Sequence, residues 1–363
     1  MGFSIINLFN RQARLEKKQQ EKLEREQNEV IASGNAENIF YFARDVKGAD
    51  IEKLEDALIK TNDMDTARYI VYFASEIKGA NTKKLEDAVI KTGEAWWIGE
   101  FAYKVQGADI VRLQDEVIKI GDGRSIYDFA LEVKGADIGK LEDVVIKNGN
   151  ADLIYYFACD VEGANVEKLE DTIIEIGDTS RIITFACNVK GADIEKLEDV
   201  IIKKGEVLPI IEFAMYVKGA NIKKLEDAII KTGEAGNIVS FARCVSDADI
   251  EKLQDELIKI GDEKWIHNFA IYVKGANIKK LEDAIIETGD YKVMSKFAVF
   301  ALLSGANIHK LADAIIKAGG AEYACSDCFA KMIAYDKGVT NLRDAIAEIM
   351  NKQVDDGGVT GDI

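Results

Sequence analysis

Hydrophobic residues recur along the chain in two alternating patterns, and each has the spacing of one helical face. Residues 93–121 show both patterns within a single stretch. The first predicts a short helix that buries Ile98, Phe101, Ala102 and Val105, at i, i+3, i+4 and i+7. The second predicts another short helix that buries Ile110, Leu113, Val117 and Ile118. We call the two predicted elements the A helix and the B helix of a unit.

Polar and glycine residues between the patterns predict where these helices begin and end. Glu94 precedes the A helix, and Asp109 has the residue type preferred at the N-cap of the B helix. Gly107 and Gly121 are predicted to end the two helices, because glycine adopts positive φ without a steric penalty. Asp247 replaces the glycine that follows the A helix in other units, which predicts local strain there.

The two-helix pattern repeats with a period of 28 residues. A Phe-Ala pair recurs at every such step from Phe101 to Phe297, and a Leu-x-Asp signature marks eleven units from Leu54 to Leu342. Helices of about ten residues are marginal alone, so their stability must come from stacking on neighbours. The sequence therefore predicts an all-α fold, a right-handed α-solenoid of about eleven two-helix repeats.

Two nearly identical segments show how such an array grows. KKLEDAVIKTGEA begins at Lys83 and KKLEDAIIKTGEA at Lys223, 140 residues or five periods later. This plan of paired helices resembles the α-solenoids of the HEAT and tetratricopeptide class. The unit is shorter than those of either family, and the motifs of neither are present. The resemblance implies a protein-binding scaffold.

The predicted organisation has three parts. Residues 1–34 form an N-terminal helical extension or cap, residues 35–350 form the solenoid, and residues 351–363 form a flexible acidic tail. Within the first part, residues 1–10 are largely apolar and residues 11–28 are polar. This helix is interpreted as a cap that shields the first repeat, or alternatively as a tip that docks on a membrane surface or a partner.

An aspartate occupies one position of the B helix in all eleven units, from Asp56 to Asp344. The residue before it is usually glutamate, but it changes at Gln114 and Gln254 among others. The aspartates are interpreted as a structural ladder, each accepting hydrogen bonds from backbone or lysine groups of an adjacent unit. The alternative is an acidic row that faces a basic ligand.

Variation between units is concentrated on the A helix, at positions −4, −1 and +3 counted from the phenylalanine of the Phe-Ala pair. Tryptophan, tyrosine and arginine at these positions are the residue types enriched at interface hot spots. We therefore predict a partner-binding stripe, the alternative being that the aromatic residues of these helices, Trp96 in particular, fill gaps between repeats. The stripe comprises Trp97, Glu100, Lys104, Asp128, Tyr156, Asp160, Arg181, Glu212, Tyr216, Trp265, Asn268 and Tyr272.

Composition narrows the function further. A net charge of −17 disfavours direct nucleic-acid binding and favours partners with basic surfaces. Only two histidines are present, no phosphate-binding loop is found, and the CxxC at Cys325 has no second pair. No catalytic residue, cofactor or metal site is predicted, and the protein is not expected to be an enzyme.

The cysteines and the hydropathy of the chain bear on its location. Five cysteines without framework spacing favour a reducing compartment, with Cys159 and Cys187 as free thiols. No apolar run is long enough to span a bilayer, and a membrane partner is not expected. A cytoplasmic location is predicted.

Three functions fit these observations. The first is a scaffold that binds a protein along its surface. The second is an acidic inhibitor that mimics nucleic acid and occupies a DNA- or RNA-acting enzyme. The third is sequestration of a small molecule where several units break the pattern together, near Trp96 and Trp97 or near Trp265 and His267.

Overall fold

The computed structural model describes residues 2–61, 64–301 and 305–320, and these residues form 21 helices and no strand. A long helix, α1 (Gly2–Ala32), precedes ten pairs of short helices. The A helices are α2 (Ala36–Asp45), α4 (Thr66–Glu76), α6 (Ala95–Lys104), α8 (Gly123–Glu132), α10 (Ala151–Asp160), α12 (Thr179–Asn188), α14 (Val207–Tyr216), α16 (Ala235–Cys244), α18 (Glu263–Tyr272) and α20 (Tyr291–Ala301). The B helices are α3 (Ile51–Ile59), α5 (Thr82–Thr92), α7 (Ile110–Ile120), α9 (Ile138–Asn148), α11 (Val166–Ile176), α13 (Ile194–Lys204), α15 (Ile222–Lys231), α17 (Ile250–Ile260), α19 (Ile278–Glu287) and α21 (Ile308–Lys317).

The predicted all-α helical repeat is thus confirmed, with a period of about 28 residues between successive pairs. The predicted eleventh unit, around Leu342, and the predicted tail at 351–363 lie outside the described residues, as does the CxxC that begins at Cys325.

Helix ends follow the predicted capping residues, with two differences. The Asp109 side chain accepts a hydrogen bond from the backbone N–H of Arg112, and Gly121 ends α7 with a φ of 80°. Gly107 does not end the A helix itself. Val105 leaves the helical conformation first, and Gly107 lies in the following turn with a φ of 83°. The strain predicted at Asp247 is absent, because no non-glycine residue in the described ranges has a positive φ.

Each pair of helices buries the predicted apolar faces. Phe101 and Leu113 are completely buried in α6 and α7, and so are their equivalents in the other described units, except Phe42 in α2, which is half-buried. Ile110 and Ile118 were predicted to be buried, but they are only half-buried. Gln114 is buried instead, so the face that the B helix hides is rotated toward the residue after the leucine.

The helices cluster into two compact bodies, each made of several two-helix units. The first holds residues up to Arg181 together with Asn188–Ala192, and the second holds Ile182–Cys187 and the residues from Asp193 onward. Within each body, the A helix of one pair packs on the A helix of the adjacent pair, and B helices pack on B helices in the same way. Helix α6 packs on α8 in the first body, and α16 packs on α18 in the second. A repetitive stack therefore forms the core of both bodies.

Helix α1 packs against the first pair, α2 and α3. Residues 11–22 of this helix are exposed, whereas Gln27 is buried. The Gln27 side chain accepts a hydrogen bond from the N–H of Asp50 at 2.9 Å and donates one to its carbonyl at 3.3 Å. Asp50 is the N-cap residue of α3, so α1 binds the first B helix at its N-terminus.

Candidate interaction surface

Successive units are joined by a glutamate of one B helix and the N-cap residue of the next. The carboxylate of Glu55 accepts the backbone N–H of Asn81 at 2.7 Å, and that of Glu226 accepts the N–H of Asp249 at 2.9 Å. These glutamates are buried, with exposed fractions of 2% and 1%. The same bond is formed by Glu86, Glu142, Glu198 and Glu282.

This bond takes the place of one of the two hydrogen bonds of a capping box, and it crosses the boundary between units. In a capping box, the residue at N3 of a helix accepts the N–H of its own N-cap residue. Here N3 is a lysine or arginine, such as Lys252 in α17, and the preceding unit supplies the acceptor. Lys252 returns to that unit, where its ammonium group lies 2.7 Å from Glu226 and 2.5 Å from Asp227.

Eight of the aspartates that were predicted to form a ladder pair with a lysine or arginine of the adjacent unit, which agrees with the predicted lysine partners. Arg112 lies 2.6 Å from Asp87, and Lys84 pairs with Asp56. The hydrogen bond from Lys84 lowers the pKa of Asp56 and raises the pKa of Lys84. The backbone bond belongs to the neighbouring glutamate, and these aspartates remain partly exposed beside their cationic partners.

Glutamine at the glutamate position preserves the junction. Gln114 accepts the N–H of Asp137 at 2.7 Å, and Gln254 accepts the N–H of Asn277 at 2.8 Å. Each amide group also donates to the carbonyl of the same N-cap residue, as Gln27 of α1 does. A change from glutamate to glutamine therefore keeps the buried hydrogen bond. The fold depends on this position although its residue varies, just as it depends on the invariant aspartate.

Position −4 of the predicted stripe lies between neighbouring A helices. Trp97 is half-buried, and its ring meets the edge of Tyr72 in α4 at a centroid distance of 6.4 Å. Trp265 packs so closely on α16 that a Cβ atom on Gly236 would lie 2.8 Å from its ring. Arg181, also half-buried, pairs with Asp152 of α10. The two tryptophans fill gaps between repeats, as the alternative interpretation predicted for aromatic residues, and Arg181 forms an ion pair with the preceding A helix.

Position −1 is partly covered as well. The side chains of Glu100 and Asp128 are 12% and 11% exposed, and they pair with Lys104 and Arg124 of their own helices. Glu212 and Asn268 are half-buried, whereas Tyr156 is 49% exposed.

Position +3 is the exposed part of the predicted stripe. Tyr216 and Tyr272 are 63% and 57% exposed, and Lys104 and Asp160 are also exposed. The Asp160 carboxylate accepts a hydrogen bond from the hydroxyl of Tyr127 at 2.7 Å. Burial, together with this bond, raises the pKa of Tyr127 to about 12. Positions −4, −1 and +3 therefore do not form one uniform exposed stripe.

The exposed surface of the A helices includes residues that the stripe omitted. Trp96 is 47% exposed and Tyr103 is 56% exposed, so it is Trp96 rather than Trp97 that faces solvent in α6. Among residues 11–61, 64–299 and 305–320, whose side-chain exposure is described, the exposed aromatic side chains all belong to A helices: Tyr41, Trp96, Tyr103, Tyr156, Tyr216 and Tyr272. We call these six residues the aromatic set.

Members of the aromatic set occur on every second A helix, namely α2, α6, α10, α14 and α18. The A helices between them present no exposed aromatic residue in the described part of the chain. The 28-residue period of the core thus carries a surface pattern of twice that length.

A notch interrupts the surface between α6 and α8. It is small, with room for about one water molecule, and it is lined by Trp96, Gly99, Glu100, Ser125, Asp128, Phe129, Glu132 and Val133. Gly99 lies two residues before Phe101, a position at which other units bury a side chain such as Val71, Tyr127 or Val239. The missing side chain at Gly99 opens the notch, and a glycine inside the A helix is the signal that could have revealed it.

His267 packs its ring edge-to-face with that of Phe297 at a centroid distance of 6.2 Å. Burial, together with the nearby charge of Lys296, lowers the pKa of His267 to about 4. The neutral imidazole is therefore the form that the folded protein holds near neutral pH.

This pKa predicts a loss of stability in acid. Between pH 6.5 and about 4 the unfolded chain binds a proton at His267 that the folded chain does not, so the free energy of unfolding falls as pH decreases. We expect the His267 contribution to reach about 1–3 kcal/mol. Urea unfolding of the parent and of His267→Ile, the residue found at the equivalent Ile183 and Ile211, measures it.

The variant should lose less stability than the parent over this pH range, because carboxylates titrate in both proteins and cancel in the comparison. Parallel pH profiles of the two proteins would contradict the assignment.

The remaining sequence features concern the cysteines, possible metal ligands and membrane-spanning helices. Cys159, Cys187 and Cys244 are free and exposed as residues, and partial desolvation of the thiol by neighbouring groups raises the pKa of Cys159 and Cys187. Within residues 2–61, 64–301 and 305–320, no group of three or more histidine, cysteine or acidic residues is arranged to hold a metal ion. None of the helices in these ranges has the length and hydropathy needed to cross a membrane.

Comparison with protein-family models finds no match to this chain, and comparison with curated protein sequences finds no relative. The helical-repeat class therefore follows from the period and from the packing of consecutive helices.

Proposed function

We propose that this chain is a protein-interaction scaffold, and that its binding surface is the side of the A helices that carries the aromatic set. The observation that supports the proposal most is the segregation of exposed aromatic residues onto A helices among residues 11–61, 64–299 and 305–320. Tyrosine and tryptophan supply large contact area at low cost in side-chain entropy, and they are enriched where partners bind.

The spacing of the aromatic set supports a partner that makes repeated contacts. Packed helices lie about 8–10 Å apart. Two aromatic-bearing A helices in the same compact body, with one A helix between them, are therefore separated by roughly 16–20 Å. The proposed partner is a protein with basic surface regions, because the chain carries a net charge of −17.

The alternative of a nucleic-acid mimic has less support. A mimic needs a row of available carboxylates, whereas B-helix aspartates such as Asp87, Asp199 and Asp227 lie beside a lysine or arginine of the next unit. Salt-sensitive binding to a DNA- or RNA-acting enzyme is the result that would restore this alternative.

Site-specific photo-crosslinking tests the proposed surface. A photoreactive amino acid is placed at Tyr103 or Tyr216 on A helices, and at Val111 on α7 as a control of similar exposure (62%). In lysate of the source cells, we expect discrete protein cross-links from Tyr103 and Tyr216 but none of the same mass from Val111. Equal labelling from Val111, or no cross-link from either tyrosine, would contradict the proposal.

A further inference from the structure

Helix α1 extends well beyond the part that packs on the repeats. We propose that residues 3–18 of α1 dock on an anionic lipid surface, with the helix lying in the membrane interface instead of crossing the bilayer. Three observations support this: a cluster of apolar residues, a local positive charge in an acidic chain, and an exposed helix body. The inference goes beyond the proposed function, because it assigns a second surface to a different kind of partner.

Helix α1 binds the repeats through its second half. Glu24 lies 3.9 Å from Lys53 of α3, and the buried Gln27 bonds the backbone of the N-cap residue of α3. Residues 11–22, by contrast, are exposed. The repeats therefore leave the helix uncovered from residue 11 to residue 22.

Apolar residues cluster in the first third of α1. In helical register, Ile5, Leu8 and Phe9 lie at i, i+3 and i+4 and share one face, which Ile6 borders. Phe3, in the first turn, falls outside this face. The opposite face has polar or basic residues: Ser4, Asn7, Arg11, Arg14 and Lys18. A helix that is apolar on one side and rich in lysine and arginine on the other is the type that lies in a membrane interface.

The charge of this segment is opposite to that of the rest of the chain. Residues 1–18 contain four basic side chains and one acidic side chain, Glu16, which give a net charge of +3. Since the whole chain carries −17, the residues from 19 onward carry −20. Basic residues beside an apolar cluster are attracted to the negative surface potential of a membrane that contains anionic lipid. This segment is therefore complementary to such a surface, and the remainder of the chain is not.

The same residues fit a lipid surface better than a second copy of the helix. Helices that pair through a coiled-coil seam need apolar residues repeated over three or four heptads. Within residues 11–22, only Ala13 and Leu15 are apolar, and Leu15 is 55% exposed. The apolar face is too short for such a seam, whereas an interfacial helix buries a short face at the boundary between head groups and acyl chains.

The hydropathy of the chain is compatible with docking of this kind. A helix that crosses a bilayer needs about 20 consecutive apolar residues, and the chain has no such run. That requirement does not apply to a helix that lies in the interface, because its polar face stays in contact with water and head groups.

Flotation with lipid vesicles tests the proposal on the full chain. We expect the parent to float with vesicles made of equal parts of phosphatidylcholine and phosphatidylserine, but not with vesicles of phosphatidylcholine alone. Phe9→Ser removes an aromatic ring from the apolar face, and the double variant Arg11→Gln/Arg14→Gln removes two positive charges. Each should bind the mixed vesicles about tenfold more weakly than the parent.

Matched controls make the same kinds of change outside the segment. Tyr216→Ser removes an exposed aromatic residue from an A helix, and Lys22→Gln/Arg25→Gln removes two exposed positive charges from α1. Both controls should float like the parent. Urea midpoints of all the variants check that the repeats remain folded.

The depth of docking gives a second readout. The three tryptophans of the parent lie on A helices, so lipid brominated on its acyl chains should quench their fluorescence little. Phe9→Trp adds an indole to the apolar face of the segment, and we expect the brominated lipid to quench this added emission.

Several results would overturn the inference. These are absence of flotation, equal flotation of the parent with both kinds of vesicle, and flotation that Phe9→Ser and Arg11→Gln/Arg14→Gln leave unchanged. Unquenched emission from vesicle-bound Phe9→Trp would also contradict it, since the protein would then adsorb through another surface. A parent that does not float, but forms a dimer in sedimentation velocity that Phe9→Ser abolishes, would assign the segment to a second copy of this chain.

Discussion

Replacing Phe213 by alanine is expected to lower the free energy of unfolding by about 3–5 kcal/mol, the largest effect that we predict for one residue. Phe213 is completely buried in α14, and it belongs to the series of Phe-Ala phenylalanines that occupies the core of every described pair from Phe73 to Phe297. Truncation removes the transfer free energy of the ring and leaves a cavity that neighbouring helices can fill only in part.

The control for Phe213 lies on the same helix. Tyr216 is 63% exposed, so Tyr216→Ala should change stability by less than about 0.5 kcal/mol. Urea unfolding followed by circular dichroism gives both values. Similar midpoints for the two variants would show that the helix is not held by its buried face.

A second large effect is expected at the unit junction. Glu226→Met keeps the approximate volume of the side chain but removes the acceptor for the N–H of Asp249 and a charge partner of Lys252. A buried donor without an acceptor costs about 1–3 kcal/mol, and we expect a loss of that size. Hydrogen exchange at the Asp249 amide should accelerate more than exchange at amides in distant pairs, because stability in repeat arrays is largely a nearest-neighbour property.

The chain itself supplies the control for Glu226. Since Gln254 forms the same junction bond with its amide oxygen, Glu226→Gln should cost less than about 1 kcal/mol. Equal destabilisation by methionine and glutamine would mean that charge, rather than the backbone hydrogen bond, holds the junction.

Much of this fold could be predicted from the sequence because it depends on local features. The spacing of Ile98 and Phe101 defines the buried face of an A helix, and Asp109 and Gly121 have residue types that begin and end a B helix. Each of these signals is complete within one unit, and the fixed period repeats it along the chain.

Features that depend on two units were harder to predict. A helical wheel drawn for one B helix places Glu226 beside its apolar face, and it does not show that the next unit covers this side. The same limitation reversed the roles of Trp96 and Trp97, because the contact between Trp97 and Tyr72 joins A helices of different pairs. The notch at Gly99 was not predicted for a related reason. It exists because this unit has glycine where other units have a buried side chain.

The trans-unit capping bond has a consequence for how such a chain can change in length. In the junctions described above, the donor is an Asn or Asp N–H, and the acceptor is a Glu or Gln side chain. Duplicating or deleting one whole period would join the same two partners again. Small insertions between the partners are tolerated as well, because Glu55 and Asn81 are 26 residues apart and Glu282 and Asn307 are 25 apart, whereas Glu226 and Asp249 are 23 apart. Recombination in steps of 28 residues is therefore chemically neutral at the joint, and the paired segments at Lys83 and Lys223 have the spacing that such steps produce.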